Sequence, residues 1–226
     1  MNNPIKMLSK KELALWEMSI LIVLASNFMS VNFDLLTLAA ALIGVTALIF
    51  AAKGNVWAQI LMIIFSILYG IISFRFKYFG EMITYLGMTL LMSVWSTITW
   101  IKNPSEENGN EVQIQILSIR QSVILILSGI FVTAVFYHVL KILNTPNIVF
   151  STISVTTSFA AVSLTMLRSS YYAVGYAAND LVLIILWVLA SVENPAYIPV
   201  VVNFRIFFFN DVYGFISWKK RELEQA

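Results

Sequence analysis

The chain has 226 residues, of which 59% are apolar and only 12% charged, with a mean hydropathy of +0.83; an average soluble domain is roughly 25% charged. A bilayer core of about 30 Å takes about 20 helical residues to cross, and eight apolar stretches of near that length leave no room for a soluble catalytic domain, a nucleotide-binding domain or a folded extramembrane module. Zero cysteines exclude disulfides and thiolate chemistry, and a single histidine, His138, argues against a histidine-ligated metal site. Neither a cofactor nor a nucleic-acid partner is expected.

Helices are expected over residues 13–29, 34–52, 56–74, 80–101, 122–140, 147–167, 171–191 and 196–217. Lys6, Lys10 and Lys11 before Leu13–Ala25 resemble the start of a signal peptide, but Glu17 interrupts the apolar run and no A-x-A site follows, so the first stretch is read as a retained span. Met29-Ser30-Val31-Asn32 makes a corner before Asp34, a candidate N-cap, and Ala52-Lys53-Gly54-Asn55 a glycine turn. The one long connection runs from Lys102 to about Gln121 and carries Pro104-Ser105-Glu106-Glu107-Asn108-Gly109-Asn110, then a short amphipathic stretch. Asn144-Thr145-Pro146-Asn147 and Glu193-Asn194-Pro195 put proline where a new helix starts, at the position that tolerates its missing N–H.

With eight spans, one side of the membrane receives Lys6, Lys10, Lys11, Lys53, Lys102, Arg120, Arg168, Lys219, Lys220 and Arg221, and the other only Arg75, Lys77 and Lys141. Ten against three is a strong positive-inside bias; were the first helix not to cross, the split would fall to seven against six. The expectation is a multi-pass protein of a bacterial cytoplasmic (inner) membrane with both termini cytoplasmic.

Sliding the chain on itself by 118 residues lays 34–100 on 152–218. Ile67-Leu68-Tyr69 then falls on Ile185-Leu186-Trp187, Ser73 on Ser191, Val94-Trp95 on Val212-Tyr213 and Ile98-Thr99-Trp100 on Ile216-Ser217-Trp218. The fold class that follows is an all-α integral membrane protein of about eight transmembrane helices. An N-tail and accessory first helix (1–33) precede a three-helix repeat (34–101), a loop and linker helix (102–146), a second three-helix repeat (147–218) and a C-tail (219–226). An odd number of linker spans makes the repeats parallel, a plan used by the SWEET transporters.

A charge at the centre of a span costs about 2.5–3.5 kcal/mol on insertion scales, so such residues face protein or water. In the seventh span Tyr172, Tyr176, Asn179, Leu183 and Trp187 share one face, with Asp180 beside it. Flat rings and an amide suit a planar heterocycle, whereas an aromatic packing stripe is the plainer alternative. In the eighth span Asn203, Asn210, Gly214 and Ser217 form a stripe flanked by Asp211 and Tyr213, expected to line a cavity. Arg205 lies nearly opposite and is read as a structural ion pair with a neighbouring helix, Asp180 being its candidate partner. Asn55, Gln59, Ser66, Gly70 and Ser73 form a small polar stripe in which packing is the default and Gln59 the candidate contact. Tyr85, Met88, Met92, Trp95 and Thr99 follow at helical spacing in the fourth span, with Tyr85 and Trp95 as candidate binding residues. The sixth span is rich in hydroxyls, Ser151 to Ser163, which alone say nothing specific.

Two blocks, Ser169-Ser170-Tyr171-Tyr172 through Asn179-Asp180 and Phe209-Asn210-Asp211-Val212-Tyr213-Gly214-Phe215-Ile216-Ser217-Trp218, resemble the PnuC family of vitamin and nucleoside transporters. So do Leu68-Tyr69-Gly70, Phe79-Gly80-Glu81-Met82 and Trp95 through Trp100; the resemblance covers about 34–220. It implies a 3+1+3 core and uptake of nicotinamide riboside by facilitated diffusion, with the substrate trapped by a cytoplasmic kinase; relatives carry thiamine, riboflavin or deoxynucleosides. Many members carry Gln a few residues after the acid matching Glu81, where this chain has Tyr85, which leaves the substrate open within the family. No G-x-x-x-x-G-K-[ST] loop for ATP is present, nor the D-x-x-x-D or H-E-x-x-H of an intramembrane enzyme, so no enzyme is expected. A receptor or structural membrane protein is the alternative of another class. The expected partners are a small-molecule substrate and the lipid bilayer, and a homo-oligomer is compatible with the sequence.

Overall fold

A computed structural model of the chain describes residues 4–30, 33–106 and 109–225. The expected corner at Val31-Asn32 and the dipeptide Glu107-Asn108 lie outside the described residues. Among the described residues eight long helices follow one another: α1 Lys10–Phe28, α2 Leu35–Ala52, α3 Trp57–Arg75, α4 Phe79–Lys102, α5 Ile119–Ile142, α6 Ile148–Met166, α7 Tyr172–Glu193 and α8 Ile198–Glu224. Seven of them are long and apolar enough to cross a bilayer. The exception is α1, which carries Lys10, Lys11, Glu12 and Glu17, yet it runs the length of α2. Glu12 lies by Lys53 at the end of α2, and Trp16 Nε1 donates to Thr46 Oγ1 (3.1 Å) a turn or two further in. Glu17 is exposed on its outer side.

The helix starts have local causes. Ser9 with Glu12 and Ser118 with Gln121 close capping boxes at α1 and α5, so α5 begins three residues earlier than the apolar run. Asp34 Oδ2 caps α2, accepting from Thr37 N (2.9 Å) and Thr37 Oγ1 (2.6 Å). Pro195 opens a 3-10 turn before α8, whereas Pro146 stands two residues ahead of α6, behind a left-handed Asn147.

The helices form two triplets, α2–α3–α4 and α6–α7–α8, with α2 packed on α8 and α4 on α6. The linker α5 packs on α6 and buries little except Leu140, while α1 lies in the groove of α2 and α8. The triplets are related by the 118-residue offset. Trp100 and Trp218, equivalent under it, meet with ring centroids 5.6 Å apart. Trp218 Nε1 donates to Ala51 O (2.7 Å) at the end of α2, and Trp100 Nε1 donates to Thr165 O (3.0 Å) at the end of α6. Each indole thus braces the first helix of the other triplet, as a pseudo-two-fold axis along the helices requires. The end of the bundle that carries these indoles also carries both chain termini and is called the terminal end below.

One helix departs from regular geometry. Thr84–Thr89 of α4 is a π segment, which accommodates an extra residue and turns the remainder of the helix against its own first turn. The buried face therefore passes from Tyr85 to Thr89, Ser93, Ser96 and Trp100 instead of Met88, Met92, Trp95 and Thr99. Trp95, expected at the site, is 62% exposed on the outer surface.

Candidate functional site

Polar groups from both triplets meet along the boundary between them. From the first triplet, α4 supplies Glu81 and Tyr85, both buried. From the second, α7 supplies Tyr176, Asn179 and Asp180, and α8 supplies Asp211. The hydroxyl-rich α6 holds this seam in place. Ser154 Oγ donates to Glu81 Oε1 (2.9 Å), a bond between triplets, and Ser158 Oγ donates to Asn179 Oδ1 (3.0 Å), with the Thr157 hydroxyl 2.9 Å from the same oxygen. With its oxygen so engaged, the Asn179 amide is oriented toward Tyr85. Tyr85 lies near both Glu81 and Asp180, and the carboxyl groups of Asp180 and Asp211 adjoin. A close approach makes this possible: a Cβ on Gly175 would lie 2.8 Å from the Ala161 backbone, so only glycine lets α7 settle against α6 here.

Two carboxyl oxygens of the seam, Glu81 Oε2 and Asp180 Oδ2, are buried without a partner among the described residues. Buried polar atoms are normally paired, so both orphans call for an explanation. None of the ion pairs among the described residues reaches Glu81, Asp180 or Asp211. The seam is lined by carboxyl groups, and among the described residues no guanidinium or ammonium is paired with them.

Aromatic layers close the seam at both ends. On the terminal side Tyr172 packs edge-on against Trp218 (4.6 Å), which meets Trp100. On the far side Trp187 Nε1 donates to Tyr69 Oη (2.8 Å), and Tyr78, Phe76 and Tyr197 ring the indole at 5.0, 5.7 and 5.6 Å. Tyr78 belongs to the corner before α4, where burial pushes its phenol up to about 12. Fifteen residues of α7 separate Tyr172 from Trp187, about 22 Å at 1.5 Å per residue, and Asp180 lies near the middle of that interval.

Several residues read as site residues stand elsewhere. Asn210 Nδ2 donates to Ser19 Oγ of α1 (3.0 Å) and to Ile206 O (2.8 Å), so it ties down the accessory helix. Tyr213 lies beside Glu12 on the same α1 contact. Asn203 lines a cavity of about 20 Å³ between α2, α3 and α8, together with Thr37, Phe65, Tyr69 and Phe207. Gln59 is buried in the packing stripe of α3. Arg205 is exposed on the outer face of α8 and makes no ion pair among the described residues; Asp180, its expected partner, faces Asp211 instead. Conversely, the sequence pattern does not single out Glu81, Tyr69 or Ser154 as site residues. Tyr69 had a signal, since the repeat offset pairs it with Trp187, and Glu81 a weaker one as an acid inside an apolar run.

Residues 34–220 match the model of the nicotinamide mononucleotide transporter family. The chain is 25% identical over 185 residues, 80% of its length and 70% of the relative's, to the nicotinamide riboside transporter PnuC of Neisseria mucosa. The crystal structure of the vitamin B3 transporter PnuC has the same fold, with a TM-score of 0.85 over 97% of this chain and 94% of that one, at 23% identity.

Proposed function

Because the chain belongs to the nicotinamide mononucleotide transporter family, we propose that it takes up nicotinamide riboside by facilitated diffusion through alternating access, with a cytoplasmic kinase trapping the product. The observation that carries the choice of riboside is the acidic seam. Nicotinamide riboside bears a fixed positive charge on its pyridinium ring and no phosphate. Glu81 Oε2 and Asp180 Oδ2 offer unpartnered acceptors for that cation and for ribose hydroxyls, while Tyr85 and Tyr176 offer ring faces to the base. A mononucleotide would bring a phosphate against Glu81, Asp180 and Asp211 with no basic side chain among the described residues paired there to receive it, and burying an unpaired phosphate charge is costly. Thiamine, also a cation, is a second substrate the same charge argument favours; riboflavin and deoxynucleosides are not.

Transport then proceeds by rocking of the two triplets about the axis that Trp100 and Trp218 straddle, with one aromatic layer parting at a time. The ten-to-three distribution of basic residues supports termini in the cytoplasm of a bacterial inner membrane, which puts the terminal end on the side where a kinase acts. The discriminating experiment is a titration of the purified protein with nicotinamide riboside, thiamine, deoxyadenosine and nicotinamide mononucleotide. Binding of the riboside at least about tenfold tighter than of the mononucleotide is expected; tighter binding of the mononucleotide contradicts the assignment.

A further inference from the structure

Four charged groups that the seam does not use meet at the terminal end. After α4 the chain does not loop outward: residues 109–117 run across the ends of several helices. Val112 N donates to Gly54 O in the α2–α3 turn, Gln113 N to Asn103 O, and Gln115 N to Arg168 O in the α6–α7 turn, each at 2.9 Å. Ile114 N donates to Gln225 Oε1 (2.9 Å) just past α8, and Val112 is fully buried. This strap is fastened to both triplets, to the first at Gly54 and to the second at Arg168 and Gln225.

Its acid binds both as well. Glu111 Oε2 is 3.0 Å from Arg221 Nε in the last turns of α8, and Glu111 Oε1 is 3.9 Å from Lys53 Nζ at the end of α2. Lys53 in turn is 3.7 Å from Glu12 Oε2 of α1. Arg221 Nη2 donates to Val112 O (3.1 Å), and the guanidinium packs so closely against Gly54 that a Cβ there would meet it; the turn also needs φ +69° there. The side chains of Arg221 and Glu111 are only 11% and 12% exposed, so water and salt screen this pair far less than a surface bridge. Immediately inside lies the bond from Trp218 to Ala51 O that closes the terminal aromatic layer.

Rocking that opens the terminal end draws the end of α2 away from the end of α8, and Glu111 holds both. We propose that the strap is the lock of the terminal end: Glu111 bridges Arg221 and Lys53 when that end is closed, and the bridge must release before the indole layer parts. The lock rests on the alternating-access transport set out above.

The chain contains no cysteine, so one introduced thiol reports without background. Ser96, 1% exposed and one turn inside Trp100, is the reporter as Ser96→Cys. Its reaction with a water-soluble methanethiosulfonate reagent is followed on the full-length protein in nanodiscs. Glu111→Gln and, separately, Lys53→Gln raise the labelling rate about tenfold, by shifting population toward the open terminal end. Lys220→Gln, which breaks the exposed Lys220–Glu224 pair on the same helix end, leaves the rate unchanged. Equal labelling of Glu111→Gln and its parent overturns the lock. Should Glu111→Gln not fold, Lys53→Gln decides alone, because it leaves the Arg221 bridge and the strap's backbone bonds in place. Riboside exchange by the unmodified protein is measured in parallel. Its absence overturns the transport assignment whatever the labelling shows, and unchanged labelling overturns the lock whatever the exchange shows.

Discussion

Tyr69 and Trp187 are 118 residues apart in the chain and joined in space by a 2.8 Å hydrogen bond from the indole nitrogen to the phenol oxygen. The separation equals the repeat offset, so these are equivalent positions of the two triplets meeting on the axis that relates them. Trp100 and Trp218 do the same at the terminal end. Two self-equivalent contacts at different depths make the axis run along the helices, and they are also the centres of the two layers that close the seam. The symmetry element and the two aromatic layers are therefore built around the same four side chains.

Removing the phenol oxygen tests the far layer. Tyr69→Phe leaves the Trp187 indole N–H buried without an acceptor, which costs about 1–3 kcal/mol. A lowered thermal midpoint in detergent is expected, together with faster exchange from the far side. An unchanged midpoint would mean that the bond carries no weight in closing the layer.

What the sequence made visible depended on how local the cause was. Apolar runs bounded by Asp34, Gly54 and the prolines located the helices, and Leu68-Tyr69 against Leu186-Trp187 located the repeat. The sequence pattern misplaces the buried face of α4 because the π segment at Thr84–Thr89 shifts the phase by one residue, which no pattern of apolar residues announces. Asn210 looked like a cavity residue because its partner, Ser19, is 191 residues away. The strap shows in the sequence only as a short amphipathic stretch because its pairing is mostly backbone to backbone, and backbone bonds leave no mark on side-chain identity.

The acids of the seam should matter for charge more than for shape. Asp180→Asn and Glu81→Gln keep side-chain volume, and each is expected to weaken binding of nicotinamide riboside about tenfold or more in a calorimetric titration. The uncharged deoxyadenosine should show no comparable loss. Equal effects on cation and neutral ligand would mean that the carboxyls do not select charge.

The outer faces make the opposite forecast. Arg205→Ala and Trp95→Ala remove exposed side chains, so both thermal midpoint and riboside affinity should stay near the parent values, within about 0.5 kcal/mol. Loss of binding in either variant would place that side chain against substrate in another state of the cycle.

Asn210→Ala separates anchoring of α1 from substrate contact. It strips Ser19 of its partner in a buried interface, at a cost of about 1–2 kcal/mol, and should lower thermal stability while the dissociation constant for the riboside holds. Unchanged stability with lost affinity would return Asn210 to the binding surface.

The central claim is carriage of a cationic riboside without an energy source. Purified protein in proteoliposomes lacking any kinase, with the membrane potential clamped at zero and labelled nicotinamide riboside outside, should equilibrate the label across the membrane and stop at equal concentrations, with or without a proton or sodium gradient. Accumulation above the external concentration under either gradient, or no entry at all, would contradict it.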